Sequence, residues 1–533
     1  MRTVSALSAA CLAVRRAEFF AVGGFDEINT PIAHSDLDLC FKLREAGMRC
    51  VYTPFATLTH HGRASIGQAQ QTAEAQIDDK ASIFLLRRWA AFTCHDPYYT
   101  NNMREWLYRD SPEPIQMFAR TNSDKNNSGR SLLLISHDLS LSGAPIIMSH
   151  LARWCKEHGT FVVVMSPEDG PLREAFVQAD IPVIIDSLLA TGYEAFTKFG
   201  RGLSVKSHKS FTKFARGFDC IIGNTIFAAP LIRDASTEGI PHIWWIHEAL
   251  AGDQYLRKYS VLPVVLGLAE QIITPDKCSR HVYQPFARRP IRVIPYGIPD
   301  IAQRHASHRE GPAGPLRFLL LGTIEHRKGQ LTLVEAVNHL PLDVLDRTEF
   351  LIVGRPHDAK VAAQVRAAAE NSAHLHYRET VGHQDALTLI QETDVMLCMS
   401  SDETGPLILI EAMALGKPIL STKVGVVGES LIADEDALFL EPGDAIGLAG
   451  AIQRLVQDPP LLRKLATNSR GAYERYFRLE RFGKEFLGVV EEAIQNESSL
   501  RGEERRSRDD ASASPTIHLS EKQGKELQNF ACR

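Results

Sequence analysis

The sequence predicts an α/β protein with two doubly wound domains. Short apolar runs alternate with amphipathic stretches from residue 131 to residue 294, and the alternation resumes from 317 to 440. A polar stretch rich in Gly, Pro, Ser and His separates the two regions at 301–315. Apolar strands that alternate with helices are typical of doubly wound sheets. With 533 residues the chain exceeds a single hydrophobic core, so its length predicts about three domains.

The predicted strands are short apolar runs, each followed by a helical or loop segment. In the first domain they are SLLLIS, TFVVVMS, IPVIID, DCIIGN, HIWWIH, QIITP and IRVIP. In the second domain they are RFLLLG, EFLIVGR, HLHYR, DVMLCMS, PILST and ALFLE. Two further segments predict helices at the edges of these domains, AEAQIDDKASIFLLRRWAAF before the first and FGKEFLGVVEEAI after the second.

The composition is that of a globular protein, and it gives no indication of nucleic-acid binding, a disulfide framework or a zinc site. Hydrophobic residues make up 44% and charged residues 23% of the chain, which is ordinary for a globular protein. The formal net charge of -5 gives no overall attraction for nucleic acid. The nine cysteines are scattered singly without a C-x2-C pair, so we expect neither a disulfide framework nor a zinc site. A reducing cytoplasm is the expected compartment.

No membrane span is predicted, because no run approaches the roughly 20 apolar residues that cross a bilayer. After Met1 and Arg2, the segment VSALSAACLAV has the charge and length of a short signal peptide. It passes straight into RRAEFFAVGGFDE without a convincing cleavage site, so a signal peptide is not favoured.

The most informative segment is SSDETGPLILIEAMALGKPIL, which begins at Ser400 and carries Glu403 and Glu411. Glu411 interrupts a helix that is otherwise apolar nearly all round, and a buried carboxylate needs a partner. That partner is either a ligand hydroxyl or a private salt bridge within the protein. The strand DVMLCMS precedes the segment, and Gly405 and Pro406 form a good helix start. Strand, turn and helix together predict a crevice at the carboxyl end of a parallel sheet, where such sheets bind ligands.

Glu403, seven intervening residues, Glu411 and AMALGKPIL resemble the E-x7-E signature of retaining glycosyltransferases with the GT-B fold, in particular family four. The resemblance implies that Glu411 holds the ribose hydroxyls of a nucleotide sugar and that Glu403 contacts the donor sugar. It places Gly405 in the donor site as well. The sequence departs from the family at Pro406, where a Phe or similar residue usually follows the glycine.

In the first domain, SHDLSLSGAPIIMSHLARWCKEHG places a small-residue loop between a strand and a helix. Such a helix start favours negative charge, and Gly143 allows close approach of a ligand, although any tight turn can use a glycine. By resemblance, Gly143 and Ala144 approach the donor's diphosphate. His247 ends a very apolar strand, where a histidine more often satisfies a local backbone group. The family places a functional His there, so we expect His247 to act near the donor sugar.

In the second domain, LLLGTIEHRKGQLTLVEAV places Arg327 and Lys328 just before a helix. Cations at a helix start oppose its dipole unless an anion also sits there. Lys328 matches the phosphate-binding K-G of the family, but Gly322 and Thr323 stand where the family has G-R, and Arg327 is the candidate replacement. Gly425 in KVGVVGES matches a glycine-rich turn of the family, or simply makes a turn.

The N-terminal residues 1–62 carry a second resemblance, through ACLAVRRAEFFAVGGFDE, HSDLDLCFKLREAGMRCVYTP and THH, to the last part of a family-two, GT-A-type glycosyltransferase. It implies Asp36 as a catalytic base and His60 or His61 as a helper of the metal. The upstream nucleotide-binding half with its D-x-D is not in the sequence, and Asp36-Leu37-Asp38 is better explained as a helix cap. We therefore expect an inactive remnant, truncated by gene structure or a misplaced start.

These observations divide the chain into five parts: the remnant at 1–62, a linker with a helix at 63–128, an acceptor domain at 129–296, a donor domain at 297–496 and a disordered tail at 497–533. The resemblance implies two Rossmann-like domains that face each other across a cleft, and in GT-B enzymes the last helix crosses back onto the first domain. The segment 196–217 repeats FTKF and has six Lys or Arg residues and no acidic residue. It predicts either peripheral contact with an anionic inner membrane face, or a solvated basic face with its phenylalanines packed inward.

The predicted function is a retaining glycosyltransferase that moves a hexosyl unit from a nucleotide sugar to a glycan or polyprenyl-linked acceptor in bacterial cell-surface polysaccharide synthesis. The nucleotide sugar is a substrate, and no cofactor and no metal are expected in the main domain, where Lys328 and Arg327 stabilise the leaving diphosphate. An epimerase or dehydrogenase is disfavoured, because no strand-linked G-x-G-x-x-G with a following acid is present. The alternative from another class is a non-catalytic nucleotide-sugar-binding or scaffold protein from a decayed two-enzyme fusion.

Overall fold

The computed structural model describes most of the chain: residues 1–59, 71–98, 115–122, 129–189, 191, 196–198, 209–302 and 314–512, without the side chains of 71–79, 209–210 and 497–512. His60, the linker residues 123–128 and residues 513–533 of the predicted tail lie outside these ranges, as do residues 199–208 of the basic segment 196–217.

The N-terminal segment is a small unit of helices around a two-stranded antiparallel sheet, in which Arg2 pairs with Tyr52. Phe41 packs on the fully buried Trp89, with ring centroids 5.8 Å apart. The strands are β1 (Arg2–Val4) and β2 (Cys50–Tyr52), and the helices are Arg16–Ala21, Ser35–Glu45 and Gln71–Cys94.

The first α/β domain is an eight-stranded sheet in the order β10-β9-β8-β7-β4-β5-β6-β3, parallel except for β3. Its central strands are buried along their whole length, as expected when helices cover both faces. The strands are β3 (Gln116–Phe118), β4 (Ser131–Ile135), β5 (Phe161–Ser166), β6 (Val183–Ile185), β7 (Cys220–Asn224), β8 (His242–Trp245), β9 (Gln271–Thr274) and β10 (Arg292–Val293). The helices are Gly143–Glu157, Leu172–Gln178, Lys209–Ala215, Ala229–Thr237, Leu250–Lys258, Val261–Leu268 and Lys277–Tyr283.

The second α/β domain is a six-stranded parallel sheet in the order β13-β12-β11-β14-β15-β16. Its strands are β11 (Leu316–Leu321), β12 (Thr348–Val353), β13 (Leu375–Arg378), β14 (Val395–Cys398), β15 (Ile419–Thr422) and β16 (Leu438–Leu440). Its helices are Gln330–Asn338, Leu342–Leu345, Ala359–Glu370, His383–Glu392, Leu407–Ala414, Gly425–Ser430, Ala445–Gln457 and Pro459–Ala472, with a 3-10 turn at His326–Lys328 and a π-helical turn at Tyr473–Phe477.

The final helix, Leu479–Ser512, packs on the first domain rather than on the second. Trp154 donates its indole N–H to Glu480 Oε2 at 2.7 Å, and the ring of Trp245 lies 5.1 Å from that of Phe486. One cluster of buried side chains therefore runs from the first domain through the connection at 294–298 into the second.

Two features differ from the sequence-based prediction. Residues 116–118, expected to lie in a linker, form β3 and pair antiparallel with β6, so that the edge of the larger sheet is extended. The final helix continues to Ser512, sixteen residues beyond the boundary at 496 where we expected disorder to begin. Within 497–512, oppositely charged residues stand four apart, as Glu497 and Arg501 or Glu504 and Arg508 do, and this spacing supports a helix.

Candidate functional site

The candidate site lies in the cleft between the two domains, at the carboxyl edge of the smaller sheet. After β14 the chain turns through Glu403 and enters the helix Leu407–Ala414 that carries Glu411. A pocket of about 300 Å³ opens beside this turn. Its walls come from both domains, with Cys278 from the first and Asp402, Glu403, Lys423 and Glu429 among those from the second.

Glu403 is the centre of an ion-pair cluster. Its Oε1 accepts a hydrogen bond from Arg327 Nη1 at 3.2 Å, lies in contact with Lys328 Nζ and accepts from Ser400 Oγ at 3.2 Å. Arg327 also donates to the Asp402 carbonyl oxygen at 2.7 Å. The structure thus brings together the two predicted phosphate ligands and the predicted sugar ligand, which are distant in the sequence.

Glu411 is buried, and its partner in this structure is a histidine. Its Oε1 lies 2.8 Å from His383 Nε2, and the Glu411 side chain is 7% exposed against 37% for His383. The hydrogen bond to Glu411 raises the pKa of His383. The sequence left two kinds of partner open for Glu411, a ligand hydroxyl or a salt bridge within the protein, and the structure shows the salt bridge. The sequence pattern did not single out His383 as that partner.

His247 has both ring nitrogens engaged by protein groups. Its Nδ1 lies 2.5 Å from the Tyr296 hydroxyl, and its Nε2 lies 2.5 Å from Asn224 Oδ1. Burial, with a smaller effect of the nearby His137, lowers the pKa of His247 to about 3. A neutral ring that accepts from Tyr296 and donates to Asn224 satisfies both contacts. Both partners are side chains from other segments, not the local backbone group that was the alternative to contact with the donor.

Tyr296, which sequence reasoning missed, connects the two domains at this point. It follows β10 in the connection between the sheets, and a Cβ on Gly405 would overlap its ring. Burial raises the pKa of the Tyr296 phenol well above its usual value, against the effect of a hydrogen bond with Thr404. Gly405 is therefore required because the Tyr296 ring lies directly on the turn that carries Glu403.

The other two candidate glycines occupy different settings. Gly143 begins its helix, and a Cβ there would lie 4.0 Å from Leu407 Cδ1, so the two helix starts face each other across the cleft. The carbonyl oxygen of Ala144, the next residue, accepts from Asn224 Nδ2 at 3.3 Å. Gly425 has a φ of +51°, and a Cβ there would overlap the Thr404 carbonyl oxygen. Gly425 thus makes a tight turn against the Glu403 loop.

A second contact between the domains lies on the other side of the pocket. Both carboxylate oxygens of Glu429 accept from the backbone N–H of Lys277, at 2.9 and 3.1 Å. Lys277 begins the helix Lys277–Tyr283 of the first domain, so an acid of the second domain lies at that helix start.

In the N-terminal segment, a helix begins where the sequence predicts one, but neither aspartate caps it. The N-cap position is His34, in a left-handed conformation, and Asp36 Oδ2 accepts from the backbone N–H of Ala9 at 3.0 Å. Asp38 is fully buried and bonds to Trp89 Nε1 at 2.9 Å and Lys42 Nζ at 2.6 Å. The capping interpretation is therefore wrong, because the helix starts one residue before Asp36. His60, which the resemblance implies as a helper of the metal, is outside the described residues.

The described part of the basic segment has its aromatic residues packed inward. Phe196 and Phe211 are buried in two hydrophobic clusters, whereas Lys213 is exposed. This arrangement matches the alternative of a solvated basic face. Lys206 and the residues around it lie outside the described ranges.

The described residues include neither a candidate metal site nor a membrane-spanning helix. In that part of the chain no group of three or more His, Cys, Asp or Glu side chains is placed to hold a metal ion. No helix there has the length and apolar character to cross a membrane.

Two protein-family models match the chain. One, described as Glycosyl transferases group 1, matches residues 304–472, and the other, described as Glycosyl-transferase family 4, matches residues 128–271. The two matches fall on the second and the first α/β domain, respectively.

The curated relatives match only in part. The chain is 29% identical to the D-rhamnosyltransferase WbpZ of Pseudomonas aeruginosa over 202 residues, 36% of this chain and 50% of that protein. It is 40% identical to the N-acetylglucosaminyl-diphospho-decaprenol L-rhamnosyltransferase of Mycobacterium tuberculosis over 110 residues, 21% of this chain and 33% of that protein. The chain thus spans half or less of the length of these two relatives.

The likeness to solved structures extends over both α/β domains. The crystal structure of Anabaena HepE in complex with UDP-glucose covers 68% of this chain and 99% of its own chain, with a TM-score of 0.54 and 17% identity. At this identity the likeness describes the fold. The chain has the GT-B fold, and each of its two α/β domains matches a glycosyltransferase family model.

Proposed function

We propose that this protein is a retaining glycosyltransferase that moves a hexosyl unit from a nucleotide sugar to a glycan or lipid-linked acceptor. The observation that carries the proposal is the cluster of Lys328, Arg327 and Glu403 beside a pocket walled by both domains. The family matches and the rhamnosyltransferase relatives support it. We place the reaction in the cytoplasm, in the synthesis of a bacterial cell-surface polysaccharide.

In the proposed mechanism, breaking the bond between sugar and diphosphate leaves negative charge on the leaving group. Lys328 and Arg327, now paired with Glu403, exchange this carboxylate for the diphosphate and stabilise the developing charge. Glu403 is then released toward the sugar hydroxyls, and Glu411 holds the ribose. The start of the helix Gly143–Glu157 faces the diphosphate from the other domain.

The acceptor hydroxyl attacks from the face that the diphosphate leaves and passes its proton to the departing diphosphate oxygen, so the anomeric configuration is retained and no protein nucleophile takes part. The cations supply the charge stabilisation without a metal ion. We assign residues 129–296 to the acceptor and 297–496 to the donor. For residues 1–62 we propose the last part of a family-two glycosyltransferase domain, in which Asp36 keeps a structural contact.

The test measures binding and hydrolysis of UDP-, GDP-, dTDP- and ADP-sugars by the full chain, with and without EDTA. We expect one donor to be selected, turnover to resist EDTA, and the anomeric configuration of the product to match the donor by NMR. Glu411→Ala and Lys328→Ala are each expected to reduce turnover by at least about tenfold. Lys360→Ala is the matched control, because Lys360 is exposed on another helix of the same domain.

Absence of binding to all four donors would favour the non-catalytic scaffold. Inversion of configuration, or loss of turnover in EDTA, would contradict the mechanism while leaving the enzyme class intact.

A further inference from the structure

The partner of Glu411 occupies an unusual place for a cation. His383 is the first residue of the helix His383–Glu392, where the helix dipole disfavours positive charge. Its Nε2 nevertheless lies 2.8 Å from Glu411 Oε1. Because the helix dipole disfavours a protonated His383, a stronger attraction must act in the opposite direction. The buried carboxylate of Glu411 supplies this attraction.

The groups around His383 come from both domains. Glu411 faces it from the helix Leu407–Ala414, and His150 lies near it on the helix Gly143–Glu157 of the first domain. Burial, with smaller effects of the charges of Arg153 and His383, lowers the pKa of His150 to about 3, so His150 is neutral at ordinary pH. Asp385, on the same helix as His383, is exposed. Glu411 is thus the buried anion that sets the charge of His383.

We propose that His383 is a positioning residue of the nucleotide site, which fixes the carboxylate of Glu411 through Oε1 and leaves Oε2 directed to the ribose hydroxyls. This inference rests on the proposed function, in which Glu411 binds the ribose. A buried carboxylate without a partner takes up a proton or rotates away, and in either case it is a poorer acceptor for two hydroxyl groups.

The sign of the pH effect follows from the raised pKa of His383. The charged pair is fully formed below the ordinary pKa of histidine and is lost as pH rises through the raised value. Above this raised pKa, the neutral ring of His383 still donates one N–H, so the hydrogen bond that orients Glu411 remains after the charge of His383 is lost. A side chain that only donates a hydrogen bond should therefore replace part of the role of His383.

The test compares nucleotides that differ only in the hydroxyls concerned. Isothermal titration calorimetry on the full chain measures Kd for UDP, GDP and ADP and for their 2′,3′-dideoxy forms. For the wild type we expect the preferred ribonucleotide to bind at least about tenfold more tightly than its dideoxy form, from hydrogen bonds to a charged group. In His383→Ala this ratio should fall toward one, with Kd for the dideoxy form nearly unchanged.

Two further variants separate positioning from folding. His383→Gln keeps an N–H donor and should retain more of the ratio than His383→Ala. His339→Ala replaces an exposed histidine of the same domain and should leave both Kd values unchanged. A merely structural role of His383 would weaken both nucleotides equally.

The outcomes are distinct. Binding of ribonucleotides with an unchanged ratio in His383→Ala overturns the role of His383 and leaves the proposed function standing. A wild-type protein that binds none of the nucleotides contradicts the proposed function itself, and the inference with it.

Discussion

Both carboxylates of the E-x7-E pair lie beside cations that come from other parts of the sequence. Glu403 contacts Arg327 and Lys328, and Glu411 contacts His383. Charged groups with little exposure require such partners, because unpaired charges are costly to remove from water. At the scale of single residues, both carboxylates of the pair are therefore held by basic side chains of the protein itself.

The contact between Tyr296 and His247 gives a prediction about stability. Tyr296→Phe removes the hydroxyl that donates to His247 Nδ1, and the buried nitrogen is left without a donor. We expect the free energy of unfolding to fall by about 1 to 3 kcal/mol, the cost of an unsatisfied buried group. Urea unfolding followed by circular dichroism measures it.

The matched control is Tyr377→Phe, which removes a 3.3 Å hydrogen bond to the Gly354 carbonyl oxygen from a half-buried phenol. Its loss should be below about 1 kcal/mol, since water can replace the donor. Equal losses of unfolding free energy in the two variants would show that the hydrogen bond to His247 stabilises the protein no more than the hydrogen bond to Gly354.

At the scale of elements, the helix Lys277–Tyr283 is held at its start from both domains. Asp276 caps it by accepting from the Ser279 N–H at 2.6 Å, and Glu429 of the second domain accepts from the N–H of Lys277. Burial raises the pKa of Asp276 to about 6, with further contributions from Glu429 and Asp402. This cap thus lies among other acids at the edge of the pocket.

The raised pKa predicts that Asp276→Asn stabilises the protein at neutral pH. In the wild type the contribution of protonated Asp276 is fully present below its ordinary value of 3.8 and is lost as pH rises through about 6. Asn keeps the capping acceptor without the charge. We expect the variant to gain about 1 to 3 kcal/mol at pH 8, and the gain to disappear near pH 4.

Chemical unfolding at several pH values measures this gain. Asp358→Asn is the control, because Asp358 caps the helix Ala359–Glu370 through Lys360 N–H at a less buried position. It should change the free energy of unfolding by no more than about 0.5 kcal/mol. A loss of stability in Asp276→Asn at pH 8 would show that the attraction between the negative charge of Asp276 and the helix start exceeds the cost of burying that charge.

At the scale of the whole molecule, the final helix joins the two domains. It leaves the second domain after Arg478 and places Phe482, Phe486 and Val490 in the core that includes Trp245 of the first domain. Arg130 and Glu491 add an ion pair at 2.8 Å on its exposed side. The relative position of the domains, and hence the width of the cleft, depends on this crossing.

Truncation tests the crossing helix. A chain that ends after Arg478 loses several fully buried side chains, each of which contributes about 1.5 to 3 kcal/mol, so the total approaches the stability of a typical domain. We expect it to lose cooperative thermal unfolding and to show red-shifted fluorescence from Trp154 and Trp245. A chain that ends after Asn496 keeps all of these contacts and should unfold within a few degrees of the full chain, about 2 to 4 °C at most. Cooperative unfolding of the shorter chain would mean that each domain is stable alone.

The local elements could be read from the sequence because their signals are local. The apolar runs in both domains form the predicted strands, and the helix with Glu411 begins after Gly405 and Pro406 as expected. β3 was missed, since a strand of three residues at a sheet edge has little signal of its own and forms because β6 offers it a partner. Asp36 was misassigned as a cap because a shift of one residue at a helix start cannot be resolved from composition.

The sequence by itself determined the succession of most strands and helices, because periodicity is a property of neighbouring residues, and the resemblance of its motifs implied the GT-B architecture and the residues around Glu403. The partners of several site residues were decided by tertiary structure alone. His383 on Glu411, Tyr296 on His247 and Glu429 on Lys277 join segments that only folding brings together. Burial then decides their charge states, because the cost of removing a charge from water depends on everything that surrounds it.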